Sequence, residues 1–167
     1  MNAVDELLAG LHAASADLVA TLPDSWLAPA LTALDASPGV DLVRVAREED
    51  GIGLCAGAWL GGRRALMLCQ NAGLLVSVNA LAALAHHHQI PVVVVAADRG
   101  GLEDGFFYQA YKGRVTCPVL DAIGTPWHRV DSPDGFRLLP SVFRQAELHR
   151  RPVVMLATRA ALLGESR

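Results

Sequence analysis

The sequence predicts an α/β fold, a doubly wound, mostly parallel sheet with helices on both faces. Three observations carry that expectation. Runs such as Ala65–Cys69, Pro91–Ala97 and Val153–Ala157 are apolar at successive positions, as strands covered on both faces of a parallel sheet are. Segments with helical apolar spacing separate these runs at βα intervals. The chain has 167 residues, 52% hydrophobic and 19% charged, which suits one domain spanning 1–167 and excludes disorder or a coiled coil.

Taken in order, Asp5–Leu22 places Leu7, Leu8, Leu11, Ala14, Leu18 and Val19 three or four apart and predicts one helix ended by Pro23. Asp24 caps a second helix, Ser25–Ala36, closed by Pro38-Gly39. Val40–Val45 is a strand, the charged tetrad Arg47–Asp50 follows, and Gly51–Leu60 is a small-residue helix. After the strand Ala65–Cys69 and a turn at Gln70–Gly73, Leu74–His88 is a helix apolar nearly all round, expected to be covered on most sides. Beyond the valine strand, Asp98–Asp104 is a polar loop, followed by helices Phe106–Lys112 and Thr116–Ile123. His128–Val130 reads as a strand, Asp134–His149 as a helix and Val153–Ala157 as the last strand.

Charge and composition narrow the function. A net charge of -3 and a pI near 6.0 offer no basic surface for a nucleic-acid backbone. Cys55, Cys69 and Cys117 are widely spaced, match no zinc pattern and suggest a reducing compartment. Asp5 and Glu6 replace the basic start of a secretory signal, and Ser77 and Asn79 break the apolar stretch Ala72–Ala85, which is shorter than the roughly 20 residues of a spanning helix. A cytoplasmic protein is expected, with no membrane partner. A mean hydropathy of +0.31 with only 5% aromatic residues points to aliphatic surface buried at a subunit contact.

Ligands of such sheets bind at the carboxyl ends of the strands, so the loops at Ala46–Asp50, Gln70–Gly73 and Asp98–Gly101 are the candidates. Gly51-Ile52-Gly53-Leu54-Cys55-Ala56-Gly57 imitates a dinucleotide fingerprint, but Glu48, Glu49 and Asp50 would repel a pyrophosphate there. The glycines read instead as places of close helix packing. Carboxylates at a helix start complement its dipole, which accounts for Glu49 and Asp50. Glu48, between a strand and an apolar helix, is expected to be partly desolvated, with raised affinity for a proton it could share with a ring nitrogen. Asn71 reads as a cap and Asn79 as a core hydrogen-bonding residue. His86, His87 and His88 point about 100° apart in turn and cannot face one ion. They read as a solvated helix end, and Cys55 and Cys69 as core.

Arg47–Ala58, with Glu48 opening the helix and Gly57 nine positions on, resembles the pyrimidine-binding domain of thiamine-diphosphate enzymes. Gln70-Asn71-Ala72-Gly73-Leu74 with Asn79-Ala80-Leu81, then Asp98-Arg99-Gly100, Gln109 and Gly113–Thr116, resemble sulfopyruvate decarboxylase alpha subunits and the matching half of phosphonopyruvate decarboxylase. The aromatic run Phe106-Phe107-Tyr108 departs from that pattern. The resemblance implies a decarboxylase subunit turning sulfopyruvate or phosphonopyruvate into the aldehyde and carbon dioxide. In it Glu48 bonds the aminopyrimidine N1′ and acts as the catalytic residue, and Gln70 and Asn71 lie beside the reacting carbons as donors. Asn71, Arg99 and Arg47 are its candidate substrate contacts. The chain has no Gly-Asp-Gly and only three asparagines, Asn2, Asn71 and Asn79. The resemblance therefore implies that diphosphate and Mg2+ are held mainly by a separate beta chain carrying the diphosphate-binding domain, in a hetero-oligomer such as α2β2. A carboligase, or a non-catalytic partner subunit, remains open.

Overall fold

The computed structural model describes residues 2–102 and 104–164. Six parallel strands form one sheet in the order β2-β1-β3-β4-β6-β5, where β1 is Leu18–Thr21, β2 Asp41–Arg44, β3 Ala65–Gln70, β4 Val93–Ala97, β5 Trp127–Val130 and β6 Val153–Ala157. The central strands β3, β4 and β6 align Leu68 with Val95 and Val95 with Met155, and their side chains are buried on both faces. The helices are α1 (Ala3–Ala13), α2 (Ala28–Asp35), α3 (Glu48–Leu60), α4 (Asn71–Val76), α5 (Val78–Ala80, continued by a π-helical segment Leu81–His86), α6 (Phe107–Ala122), α7 (Leu139–His149) and α8 (Arg159–Leu163). One face of the sheet packs on α1, α2, α7 and α8 through Leu7, Leu11, Leu34, Val142 and Leu162. The other packs on α3 to α6 through Ile52, Cys55, Leu74, Leu81 and Leu120. Burying each such leucine or isoleucine contributes about 1.5–3 kcal/mol before ordering costs. No helix of the described residues is long and apolar enough to cross a membrane.

The doubly wound sheet is as expected, but several local expectations are corrected. Residues 5–22 are not one helix. α1 ends at Ala13, Ser15 takes a left-handed φ of 54°, and Leu18–Thr21 crosses the sheet as β1 between β2 and β3. All four β1 residues are buried, so tertiary pairing overrides their helical spacing. The two helices expected after residue 105 are one, α6, with Pro118 inside it. Gly113 lies so close to the Arg99–Gly100 backbone that a Cβ there would stand 2.8 Å from the Arg99 carbonyl oxygen, a contact that holds the helix through the glycine. Asn79 is exposed on α5 rather than bonded in the core. Of the α3 glycines only Gly51 packs closely, its absent Cβ directed 2.3 Å from Met67 Sδ, while Gly53 and Gly57 face open space.

The helix run after β3 is covered on one side only. Leu74, Leu81 and Ala85 are buried, whereas Val76 is 53% exposed and Val78, Ala82 and Leu84 are partly open. Phe106, Phe107, Tyr108 and Tyr111 are also exposed around the start of α6.

Candidate functional site

Strand order reverses between β1 and β3, and the carboxyl ends of parallel strands at such a reversal open a crevice for ligands. Glu48 is the first residue of α3, half-buried, where the helix N-terminus favours a carboxylate. Its side chain lies across Gly73 of α4, where a Cβ would come within 2.3 Å of Glu48 Cγ and Oε1. Only a glycine leaves room for it. Among the described residues the Glu48 carboxylate has no hydrogen-bond or ion-pair partner. Its neighbour Glu49 is paired with Arg47 at 2.6 Å. Beneath Glu48, burial pushes the Cys69 thiol pKa up, with the charges of Glu48 and Cys55 adding to it.

On the other face of the same strand end stands a buried polar network. Alternation along β3 sends Met67 and Cys69 toward α3 and sends Leu66 and Leu68 to the opposite core, so Gln70 also faces away from α3. Gln70 Nε2 donates to Asp24 Oδ2 at 2.7 Å, and Arg99 Nη1 donates to the same oxygen at 2.8 Å. Arg99 Nε and Nη2 reach the two Asp104 oxygens at 2.7 and 3.2 Å. The guanidinium is 3% exposed and lies 4.2 Å from the Trp26 ring centroid. Burial works against its charge, but Asp104 and Asp24 outweigh it and hold the Arg99 pKa above its ordinary value. Burial likewise raises Asp104, yet bonds from Arg99 and from the Gly100 and Phe106 amides bring its pKa below the usual range.

Asn71, the first residue of α4, is completely buried. Its Nδ2 donates to the Arg99 carbonyl at 2.9 Å and to Thr116 Oγ1 at 3.3 Å, tying α4 to the β4 loop and to α6, while its Oδ1 is buried without a partner.

The chain matches known proteins over most of its length. The family model described as "Thiamine pyrophosphate enzyme, N-terminal TPP binding domain" matches residues 1–113. The chain belongs to this family. It is 31% identical over 157 residues to the sulfopyruvate decarboxylase subunit alpha of Methanococcus maripaludis, covering 93% of this chain and 94% of that one. It is 33% identical over 133 residues to the subunit of the same name from Methanothermobacter thermautotrophicus, covering 80% and 81%. The phosphonopyruvate decarboxylase of Streptomyces viridochromogenes is 32% identical over 148 residues, 87% of this chain but 37% of that one. In fold, a 2-oxoglutarate:ferredoxin oxidoreductase from Magnetococcus marinus superposes with a TM-score of 0.74 at 20% identity, over 98% of this chain and 30% of that chain.

For a member of the thiamine pyrophosphate enzyme family, the structure sorts the candidate residues into two groups. Glu48 is half-buried, without a hydrogen-bond partner among the described residues. Gln70 lies at the same strand end on the opposite face. Asn71 and Arg99 point inward: Asn71 has no exposed surface, and Arg99 is neutralised by two carboxylates rather than open to an anion. Arg47 is exposed but engaged by Glu49. Asp24, Asp104 and Trp26 were not expected at the site; Gly73 belongs to an expected loop, but its contact with Glu48 was not foreseen. Asp24 does not cap the second helix as expected: α2 begins only at Ala28 with Leu27 in the cap position, and Asp24 instead holds the Trp26 amide at 2.9 Å within the preceding turn. Its place beside Gln70 follows only once residues 18–21 are known to be a strand. Among the described residues no group of three or more His, Cys, Asp or Glu could hold a metal.

Proposed function

We propose that this chain, 1–167, is the pyrimidine-binding alpha subunit of a heteromeric thiamine-diphosphate-dependent decarboxylase acting on sulfopyruvate or phosphonopyruvate. The observation that carries this reading is Glu48: a half-buried carboxylate, without a protein partner, lying across Gly73 at the strand-end crevice. Bound thiamine diphosphate supplies a nucleophilic carbon able to take up the electrons released when a 2-oxo acid loses carbon dioxide. Glu48 bonds the N1′ of the aminopyrimidine and holds the proton shared there. The apolar residues behind it keep water from that carboxylate and strengthen the bond. Gln70 borders the crevice from the other face. Asn71 and Arg99 contribute by shaping the loops that surround the substrate.

The described residues contain no metal cluster, and the chain has no Gly-Asp-Gly. The diphosphate and Mg2+ therefore belong, in this reading, to a partner beta chain. The open Gly53–Gly57 side of α3 and the uncovered apolar side of α4 and α5 are fitting surfaces for that partner. Three free cysteines fit a cytoplasmic setting.

Calorimetric titration of thiamine diphosphate with Mg2+ tests the reading, first into this chain alone and then into its mixture with the product of the neighbouring gene. Binding confined to the mixture is expected, with carbon dioxide released from sulfopyruvate or phosphonopyruvate. Glu48→Gln should cut turnover steeply without disturbing assembly. Tight Mg2+-dependent binding to the lone chain would overturn the divided site, and near-normal turnover by Glu48→Gln would overturn the role of the carboxylate.

A further inference from the structure

We propose that Asp24 and Arg99 are positioning residues that fix the Gln70 amide with its carbonyl oxygen free, so that Gln70 meets a ligand as a hydrogen-bond acceptor. The inference rests on the proposed function for the identity of the ligand, and on geometry alone for the orientation of the amide.

Asp24 Oδ2 receives Arg99 Nη1 at 2.8 Å and Gln70 at 2.7 Å. A carboxylate oxygen that already takes a guanidinium N–H has no proton to give. The Gln70 atom against it must therefore be the nitrogen, whichever way the amide is first drawn. Asp24 cannot turn away, because its other oxygen takes the Trp26 amide at 2.9 Å. Arg99 cannot turn away either, since Asp104 holds its Nε and Nη2 and Trp26 covers its face. Asp104 is in turn fixed by the Gly100 amide at 3.0 Å. Orientation is thus passed along Gly100, Asp104, Arg99 and Asp24 to Gln70, whose own side chain is only half-buried.

Its Oε1 takes no described donor and is not among the buried atoms left unpaired, so it is open at the crevice. The neighbouring Asn71 spends its amide nitrogen inward. The strand end therefore offers acceptors, Glu48 on one face and Gln70 Oε1 on the other. It suits a ligand bearing N–H or O–H groups on both sides. A buried guanidinium between carboxylates adds little net stability, because desolvation offsets its attraction, so orientation is the better account of the network.

Nitrogen-15 NMR of the side-chain amides in the full chain tests this directly, with Gln70 identified by the signal lost in Gln70→Met. In the wild type one Gln70 Nε2 proton should lie downfield and exchange slowly, as a proton held by a carboxylate does. In Asp24→Asn it should return to the position of a free glutamine. A free-glutamine signal in the wild type overturns the proposal with no variant needed. In the assembled enzyme, Gln70→Met and Asp24→Asn should each lower kcat/KM for sulfopyruvate about tenfold, the loss of one neutral hydrogen bond. The double variant should fall no further, whereas additive losses would overturn the coupling. Failure of the wild type to turn over either 2-oxo acid would overturn the decarboxylase reading alone, and the amide spectrum would still decide the positioning.

Discussion

Gly73→Ala separates the fold from the chemistry. The added Cβ would stand 2.3 Å from Glu48 Cγ and Oε1 and 2.4 Å from Cδ, where ordinary contact begins near 3.4 Å. Something must therefore move by about 1 Å. The α4 backbone is locked by Asn71, whereas the Glu48 side chain is partly open to solvent, so Glu48 yields. Alanine gains up to about 1 kcal/mol of helix propensity over glycine, against an overpacking cost of about 1–3 kcal/mol. The net loss is below about 2 kcal/mol, a fall in Tm of roughly 4–8 °C for a domain of this size. Turnover should suffer far more, since a misplacement of about 1 Å at a reacting group can cost on the order of a hundredfold. Thermal unfolding of the chain and carbon dioxide release by the assembled enzyme measure the two effects. Full turnover by Gly73→Ala would refute the argument, and so would collapse of the fold.

Asn71→Leu leaves the buried Arg99 carbonyl without its donor and should destabilise the chain by about 1–3 kcal/mol, read by urea unfolding. His86 receives Arg151 Nη1 at Nδ1, so its Nε2 carries the proton and donates to Thr125 Oγ1 at 2.7 Å. Burial, with Arg151 adding to it, holds the His86 pKa below the ordinary 6.5. The unfolded chain therefore binds the proton more readily, so the His86 contribution is complete above about pH 6.5 and falls as pH drops toward the folded pKa. Arg151→Met should flatten that slope in unfolding measured from pH 7.5 to 5. Burial pushes the Cys55 thiol to about 12 and raises Cys69 further, so in the native chain a thiol reagent should label Cys117 first, and the other two only on unfolding.

The sheet's centre was legible because β4 and β6, and β3 up to Cys69, carry apolar residues at every position, a pattern few other structures tolerate. β1 was not. Its first two residues, Leu18 and Val19, continue the three-to-four spacing of α1, and only the partners at β2 and β3 make extension favourable. The positive φ at Ser15 is invisible in a sequence where serine serves equally well in a helix. The same limit governs the site. Glu48 could be found locally, because strand, carboxylate and small-residue helix are contiguous. Asp24, Gln70, Arg99 and Asp104 could not be joined, because their network forms only after three loops converge at the strand ends. Arg99 shows the consequence: a cation on a loop suggests an anion receptor until its carboxylates are seen.

Glu48 and Arg99 are opposite solutions to the same local problem. Both place charge at the carboxyl ends of the strands, where it is only partly solvated. Arg99 uses all three of its nitrogens within the chain and so is bound to its loops, spending its charge on geometry. Glu48 has a helix N-terminus behind it, a glycine beside it and no hydrogen-bonding partner among the described residues. A polar group left half-buried and unpaired costs free energy that folding alone does not reward. A donor arriving from outside recovers that cost as binding energy. Under the proposed function the unpaired carboxylate marks where a ligand completes the structure, and the paired guanidinium marks what holds the crevice in shape until it does.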